Sequence, residues 1–133
     1  MARILVIDDE AAIRSLIREI LEEEGHEITD AADGIQGMEA FRSAPFDLVI
    51  ADMLMPGMDG VELIMELTGL SPQVRIIAIS GGGRGKEASS NLELARDYGA
   101  QYLLAKPFTP RELIQAVYRS ITDDTDPETP RSS

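Results

Sequence analysis

Five short apolar runs punctuate the chain, and each leads into turn residues or a stretch with helical spacing. Arg3-Ile4-Leu5-Val6-Ile7, Leu48-Val49-Ile50-Ala51 and the run from Val74 to Ser80 are almost uninterrupted aliphatic sequence. That is the pattern of parallel strands covered on both faces. A weaker strand is expected from Glu27 to Ala31, and a fifth at Tyr102-Leu103-Leu104-Ala105. Between them, Ile13, Leu16, Ile17, Ile20 and Leu21 recur at helical spacing until Gly25 stops the helix. After an Asp33-Gly34 turn, Met38, Ala40 and Phe41 mark a second helix ending near Pro45. Val61, Leu63, Ile64 and Leu67 mark a third, closed by Gly69 and Pro72. Ser90-Asn91-Leu92-Glu93 predicts a capping box for a fourth helix running to Tyr98. Thr109-Pro110-Arg111-Glu112 is the clearest helix start, with an N-cap Thr, Pro at the first helical position and Glu three after the cap; Leu113, Ile114, Val117 and Ile121 form its apolar stripe.

Strands alternating with helices imply βαβ units, hence an α/β fold with a parallel sheet and helices on both faces. Right-handed crossovers leave few topologies, and the expectation is a flavodoxin-like, doubly wound five-stranded sheet of order 2-1-3-4-5 with five helices. Residues 1–122 form one domain in this reading. The remainder, 123–133, is an acidic, Pro-containing tail without apolar residues and is expected to be disordered. Gly81 to Ser89 is read as a mobile Gly- and Ser-rich loop. There are no internal repeats.

Composition narrows the function. An apolar content of 44% with 5% aromatics and no Trp suits an aliphatic core in a chain of 133 residues. A formal charge of -12 argues against a nucleic-acid or anionic-membrane surface, because phosphate binding runs on Lys and Arg. The absence of Cys excludes disulfides and thiolate metal sites. No apolar run approaches the length of a membrane span or a signal segment, so a soluble cytoplasmic protein is expected.

The chemistry gathers at one edge. Four of the five strands end in polar residues that the topology brings together at the carboxyl side: Asp8 and Asp9, Asp52, Ser80, and Lys106. Ligands bind at that edge in open α/β sheets. Packed carboxylates repel one another and ask for a cation. Oxygen donors without His or Cys favour a hard ion such as Mg²⁺ with room left for a phosphate oxygen. Lys106 can pair with a carboxylate at rest and with a phosphoryl group on its arrival, and Ser80 can donate one hydrogen bond to that group.

With Asp8-Asp9 after the first strand, Asp52 followed by Met55-Pro56 and Asp59-Gly60, Ser80, and Lys106-Pro107-Phe108, the chain resembles the receiver domain of two-component response regulators over residues 2 to 121. The resemblance implies a regulator working in a two-component or phosphorelay pathway; with no output domain read after the last helix, a single-domain regulator is expected, a fragment of a longer protein being the alternative. Asp52 would be the phosphoacceptor, taking the phosphoryl group from a sensor histidine kinase or histidine phosphotransfer protein. Asp8, Asp9, Asp52 and the Leu54 backbone carbonyl would hold Mg²⁺, and Ser80 and Lys106 would bind the phosphoryl oxygens. The Lys106-Pro107 bond would be cis. Ser80 and Tyr102 would form the switch, the aromatic ring filling space that Ser80 vacates. A downstream protein target would dock on the face of the expected fourth helix, fifth strand and fifth helix. Such a domain is a signalling phosphoprotein and no enzyme in the ordinary sense, promoting its own phosphoryl transfer and slow autodephosphorylation. The alternative is a receiver-like protein-binding module that works without phosphorylation.

Some features depart from that pattern. Gly81-Gly82-Gly83-Arg84-Gly85 lengthens the loop after Ser80. Leu54 and Gly82 stand where the family often tunes acyl-phosphate hydrolysis; neither orients a water, so a long-lived phospho-Asp52 is expected. A Walker-type loop is excluded because Gly81 to Lys86 is one residue short between its outer glycines and Glu87 replaces the required Ser or Thr. A haloacid-dehalogenase-like site would need a second Asp at position 54. His26 reads as a surface residue at a turn, Met55 as packing, and Met53 and Met58 as partly exposed.

Overall fold

The computed structural model describes residues 2–55, 58–80 and 99–122. The main sheet contains β1 (Arg3–Ile7), β2 (Glu27–Ala31), β3 (Leu48–Asp52), β4 (Ile76–Ser80) and β5 (Tyr102–Ala105). Its order is β2-β1-β3-β4-β5, and all four pairings are parallel. Four helices fall among the described residues: α1 (Ala11–Glu23), α2 (Gly34–Ser43), α3 (Gly60–Leu70) and α4 (Pro110–Thr122). The Gly-rich loop, the helix expected after Ser90 and the tail from Asp123 lie outside the described residues, so α4 here is the helix that starts at Pro110.

Strand alternation divides the core into two layers. Leu5, Ile7, Val49, Ala51, Ile76 and Ala78 face one side, where they pack with Met38 of α2 and Leu63, Ile64 and Leu67 of α3. Ile4, Val6, Leu48, Ile50, Ile77 and Ile79 face the other, against Ile17 and Leu21 of α1 and Leu113 and Val117 of α4. Each fully buried aliphatic side chain contributes on the order of 1.5–3 kcal/mol. Strands covered on both sides therefore read as unbroken apolar runs.

Helix ends follow local chemistry. Thr109 and Glu112 exchange hydrogen bonds, with Glu112 N donating to Thr109 Oγ1 at 3.1 Å and Thr109 N to Glu112 Oε1 at 2.8 Å. This is the expected capping box. Gly25, at φ 91°, lets His26 N donate back to Leu21 O at 3.1 Å and closes α1. Asp33, read from sequence as part of a turn, is the N-cap of α2, its carboxylate accepting from Gln36 N at 2.8 Å.

Three local readings change. Leu54–Met55 and Met58–Asp59, for which the sequence predicts no strand, pair as a two-residue antiparallel ribbon. The fourth strand starts at Ile76 rather than Val74, because Val74 N closes a turn onto Ser71 O at 3.0 Å. Met53, expected to be partly exposed, is buried in the α2 and α3 layer. The Lys106-Pro107 peptide bond is cis, as the resemblance implied.

Candidate functional site

The site stands on the carboxyl ends of β1, β3, β4 and β5. Parallel register places Ile7 beside Ala51, Asp52 beside Ile79, and Ser80 beside Ala105. The residues just past those strand ends therefore meet. Backbone bonds fix the connections: Asp8 N donates to Ala31 O at 3.1 Å, Met53 N to Ile79 O at 2.8 Å, and Lys106 N to Ser80 O at 2.9 Å. The reactive side chains are thus carried by the rigid sheet.

Asp8, Asp52 and Ser80 are buried, with only 1%, 3% and 1% of their surface exposed. One carboxylate oxygen from each of Asp8, Asp9, Glu10 and Asp52 lies within 4.8 Å of the others. Lys106 Nζ reaches three of these acids, at 3.0 Å from Asp8 Oδ2, 3.1 Å from Glu10 Oε1 and 3.3 Å from Asp52 Oδ2. Asp8 is further held by Glu10 N, which donates to its Oδ1 at 2.9 Å, while Arg14 Nη1 donates to its carbonyl at 2.8 Å. Burial is the largest influence on Lys106 and pulls its pKa down. Its pairing with Asp8, the charge of Asp52 and the hydrogen bond to Glu10 together outweigh that effect, so the net shift is upward. The ammonium stays charged. One ammonium thus faces a cluster of four carboxyl groups.

Asp8, Asp9, Asp52, Ser80 and Lys106 are brought together as the sequence predicted. Leu54 lies two residues beyond Asp52 on the backbone ribbon. Glu10 is the member that sequence reasoning missed. In sequence it is the third of the acids that follow the first strand, and its partner Lys106 is 96 positions away.

Tyr102 does not occupy the place expected of it. Along β5, Tyr102 and Leu104 pack with the α1 and α4 layer, whereas Leu103 packs with the α2 and α3 layer. Ser80 continues the alternation of Ile76 and Ala78, which places it on the side of Leu103. The Tyr102 hydroxyl instead donates to Arg119 O of α4 at 3.2 Å. The pairing of Ser80 with Tyr102 is therefore corrected: the two lie on opposite faces of the sheet.

The donor set suits a hard divalent cation: four carboxylates converge without His or Cys, and neither Asp8 Oδ2 nor Ser80 Oγ, both buried, has a hydrogen-bond partner among the described residues. For Asp8 Oδ2 the ion pair with Lys106 remains its contact.

A doubly wound parallel α/β sheet with an acidic cluster and a lysine at its carboxyl edge belongs to the α/β proteins that bind ligands at that edge. This chain belongs to the response regulator receiver domain family, whose sequence model matches residues 4–118. It is 32% identical over 115 residues to sporulation initiation phosphotransferase F of Bacillus subtilis, covering 86% of this chain and 90% of that protein. It is 35% identical over 117 residues to the transcriptional regulatory protein ResD of the same organism, covering 86% of this chain but 46% of that longer protein. The crystal structure of a response regulator receiver domain protein from Clostridium thermocellum superposes with a TM-score of 0.83 at 34% identity, covering 91% of this chain and 94% of that one. The protein is thus a receiver domain of two-component signalling.

Proposed function

We propose that Asp52 is the phosphoacceptor of this receiver domain and that a sensor histidine kinase or histidine phosphotransfer protein supplies the phosphoryl group. The observation that carries this reading is the contact between Lys106 Nζ and Asp52 Oδ2 at 3.3 Å, on a carboxylate that is almost wholly buried yet stands at the ligand-binding edge of the sheet. Phosphoryl transfer depends on in-line positioning and neutralised equatorial charge more than on acid-base groups. β3 fixes the Asp52 carboxylate as nucleophile, and Lys106 supplies a charged donor for one phosphoryl oxygen. Ser80, with its buried hydroxyl, is placed to donate to another.

Asp8, Asp9 and Asp52, with the Leu54 carbonyl, are the ligands proposed for Mg²⁺. When bound, the ion would neutralise charge on the phosphoryl oxygens and relieve repulsion among the carboxylates. The chain's own residues do the rest: Asp8 is oriented by Glu10 N, and Lys106 is oriented by its backbone bond to Ser80 O. Onward signalling passes to a protein target, with β5 and α4 as the described part of the proposed docking face.

Phosphorylation by a small acyl phosphate or amidophosphate donor, with and without Mg²⁺, tests the assignment. Mg²⁺-dependent labelling of the wild type that disappears in Asp52→Asn is the expected result. Equal labelling of both proteins would move the acceptor elsewhere, and labelling of neither would favour a phosphate-independent binding module.

A further inference from the structure

Lys106 has three ammonium protons and three carboxylate partners at rest, so a phosphoryl oxygen can bind it only by displacing one of them. The three are not equally held. Asp8 and Asp52 are buried, and separating either from the ammonium would strand a charge away from water. The Glu10 side chain is 60% exposed, so its carboxylate regains solvent as soon as it lets go. Glu10 is also the N-cap residue of α1, yet its side chain makes no capping hydrogen bond. It spans 96 positions to reach Lys106 Nζ at 3.1 Å instead.

We infer that Glu10 is a resting-state clamp on Lys106: its carboxylate stands in for a phosphoryl oxygen and must swing away when the phosphoryl group arrives. Glu10 is a positioning residue in this scheme. It acts through Lys106 and sets how readily that ammonium is available. The inference rests on Asp52 being the acceptor. It makes the site selective, because a weakly held anion cannot displace the clamp whereas one also held by Ser80 and a cation can.

The test compares the wild type, Glu10→Gln and Glu10→Asp at saturating Mg²⁺. The readouts are affinity for beryllofluoride by NMR and the donor concentration needed for half-maximal labelling. Glu10→Gln should bind beryllofluoride about two- to fivefold more tightly, the range expected for losing one partly exposed ion pair. Half-maximal labelling should come at correspondingly lower donor concentration. Glu10→Asp keeps the charge but is shorter by about 1.5 Å, one carbon-carbon bond. It should behave like Glu10→Gln, which separates the contact from a general charge effect. Wild-type behaviour in Glu10→Asp alone, or in both variants, overturns the clamp. So does weaker beryllofluoride binding together with a tenfold higher Mg²⁺ requirement, which would make Glu10 a metal ligand. If the wild type labels in an Asp52-dependent way while the Glu10 variants do not differ from it, only the clamp falls. If the wild type neither labels nor binds beryllofluoride, the phosphoacceptor reading falls with it.

Discussion

Lys106 is the cation that two buried carboxylates depend on, so replacing it tests how the cluster is held. Lys106→Met leaves Asp8 and Asp52 close together, buried and without their shared partner. Breaking such a pair from one side costs roughly 3 kcal/mol. Urea unfolding without divalent cations should show a loss of about that size near neutral pH. The sign of its pH dependence follows from the upward shift. The folded-state pKa lies above the ordinary lysine value, so the pairing is fully present below that value and is lost as pH rises through the folded pKa. As pH is raised from neutral, the gap between wild type and Lys106→Met should therefore narrow only in strongly alkaline solution. A gap that closes in mildly alkaline solution would show that this pairing does not hold the ammonium.

His26 has the opposite shift for a different reason. Its Nδ1 accepts a hydrogen bond from Ala2 N at 3.1 Å, and partial burial is the largest cause of its lowered pKa, with the Glu24 charge opposing. The folded protein prefers the neutral ring. Between the folded pKa and the ordinary value of 6.5, the unfolded chain binds more protons. Stability should fall as pH drops through about 6.5 and the decline should level off below the folded pKa. His26→Gln retains an acceptor but cannot titrate, so its unfolding free energy should lack that component. A wild-type slope that persists unchanged in His26→Gln would assign it to acids instead.

At the scale of elements, the approach of α2 to β1 is limited by a missing side chain. A Cβ at Gly37 would collide with Ile7 Cδ1 and lie 2.8 Å from Ile7 Cγ1, and Ile7 is fully buried. On an exposed helix, Gly→Ala gains about 1 kcal/mol. Here overpacking of about 1–3 kcal/mol opposes it, and Gly37→Ala should be net destabilising by about 1 kcal/mol in urea unfolding; a stabilised variant would show that α2 can slide outward. This constraint was not legible in the sequence, where Gly37 is one small residue in a helical pattern. The strands were legible because double-sided burial writes unbroken aliphatic runs such as Ile4 to Ile7 and Leu48 to Ala51. α4 was legible because its capping box is local in sequence. The ribbon at Leu54–Met55 and Met58–Asp59 was not, since two residues cannot display a period. The resemblance implied Tyr102 as the partner of Ser80, but a shift of one residue along a strand moves a side chain to the other face. Glu10 was missed because its contact is long-range, while Asp8, Asp52, Ser80 and Lys106 were found because strand ends converge by topology.

At the scale of the molecule, the two apolar layers form without help from the acidic edge, which sits above the sheet. Removing a cation should therefore leave the fold intact and change only its stability. A ligand that binds the folded state alone contributes about 1.4 kcal/mol at ten times its dissociation constant. The complication is the formal charge of -12, which any salt will screen with some gain in stability. Comparison at matched ionic strength separates the two effects. Mg²⁺ should raise the urea midpoint beyond the gain from NaCl, and chelation should reverse that excess. Asp8→Asn removes a proposed ligand but changes the overall charge by only one, so it should abolish the Mg²⁺-specific excess while leaving the NaCl response nearly unchanged. An equal Mg²⁺ response in Asp8→Asn and wild type would mean that the ion acts on the acidic surface at large, and the carboxyl-edge cluster would lose its claim as the cation site.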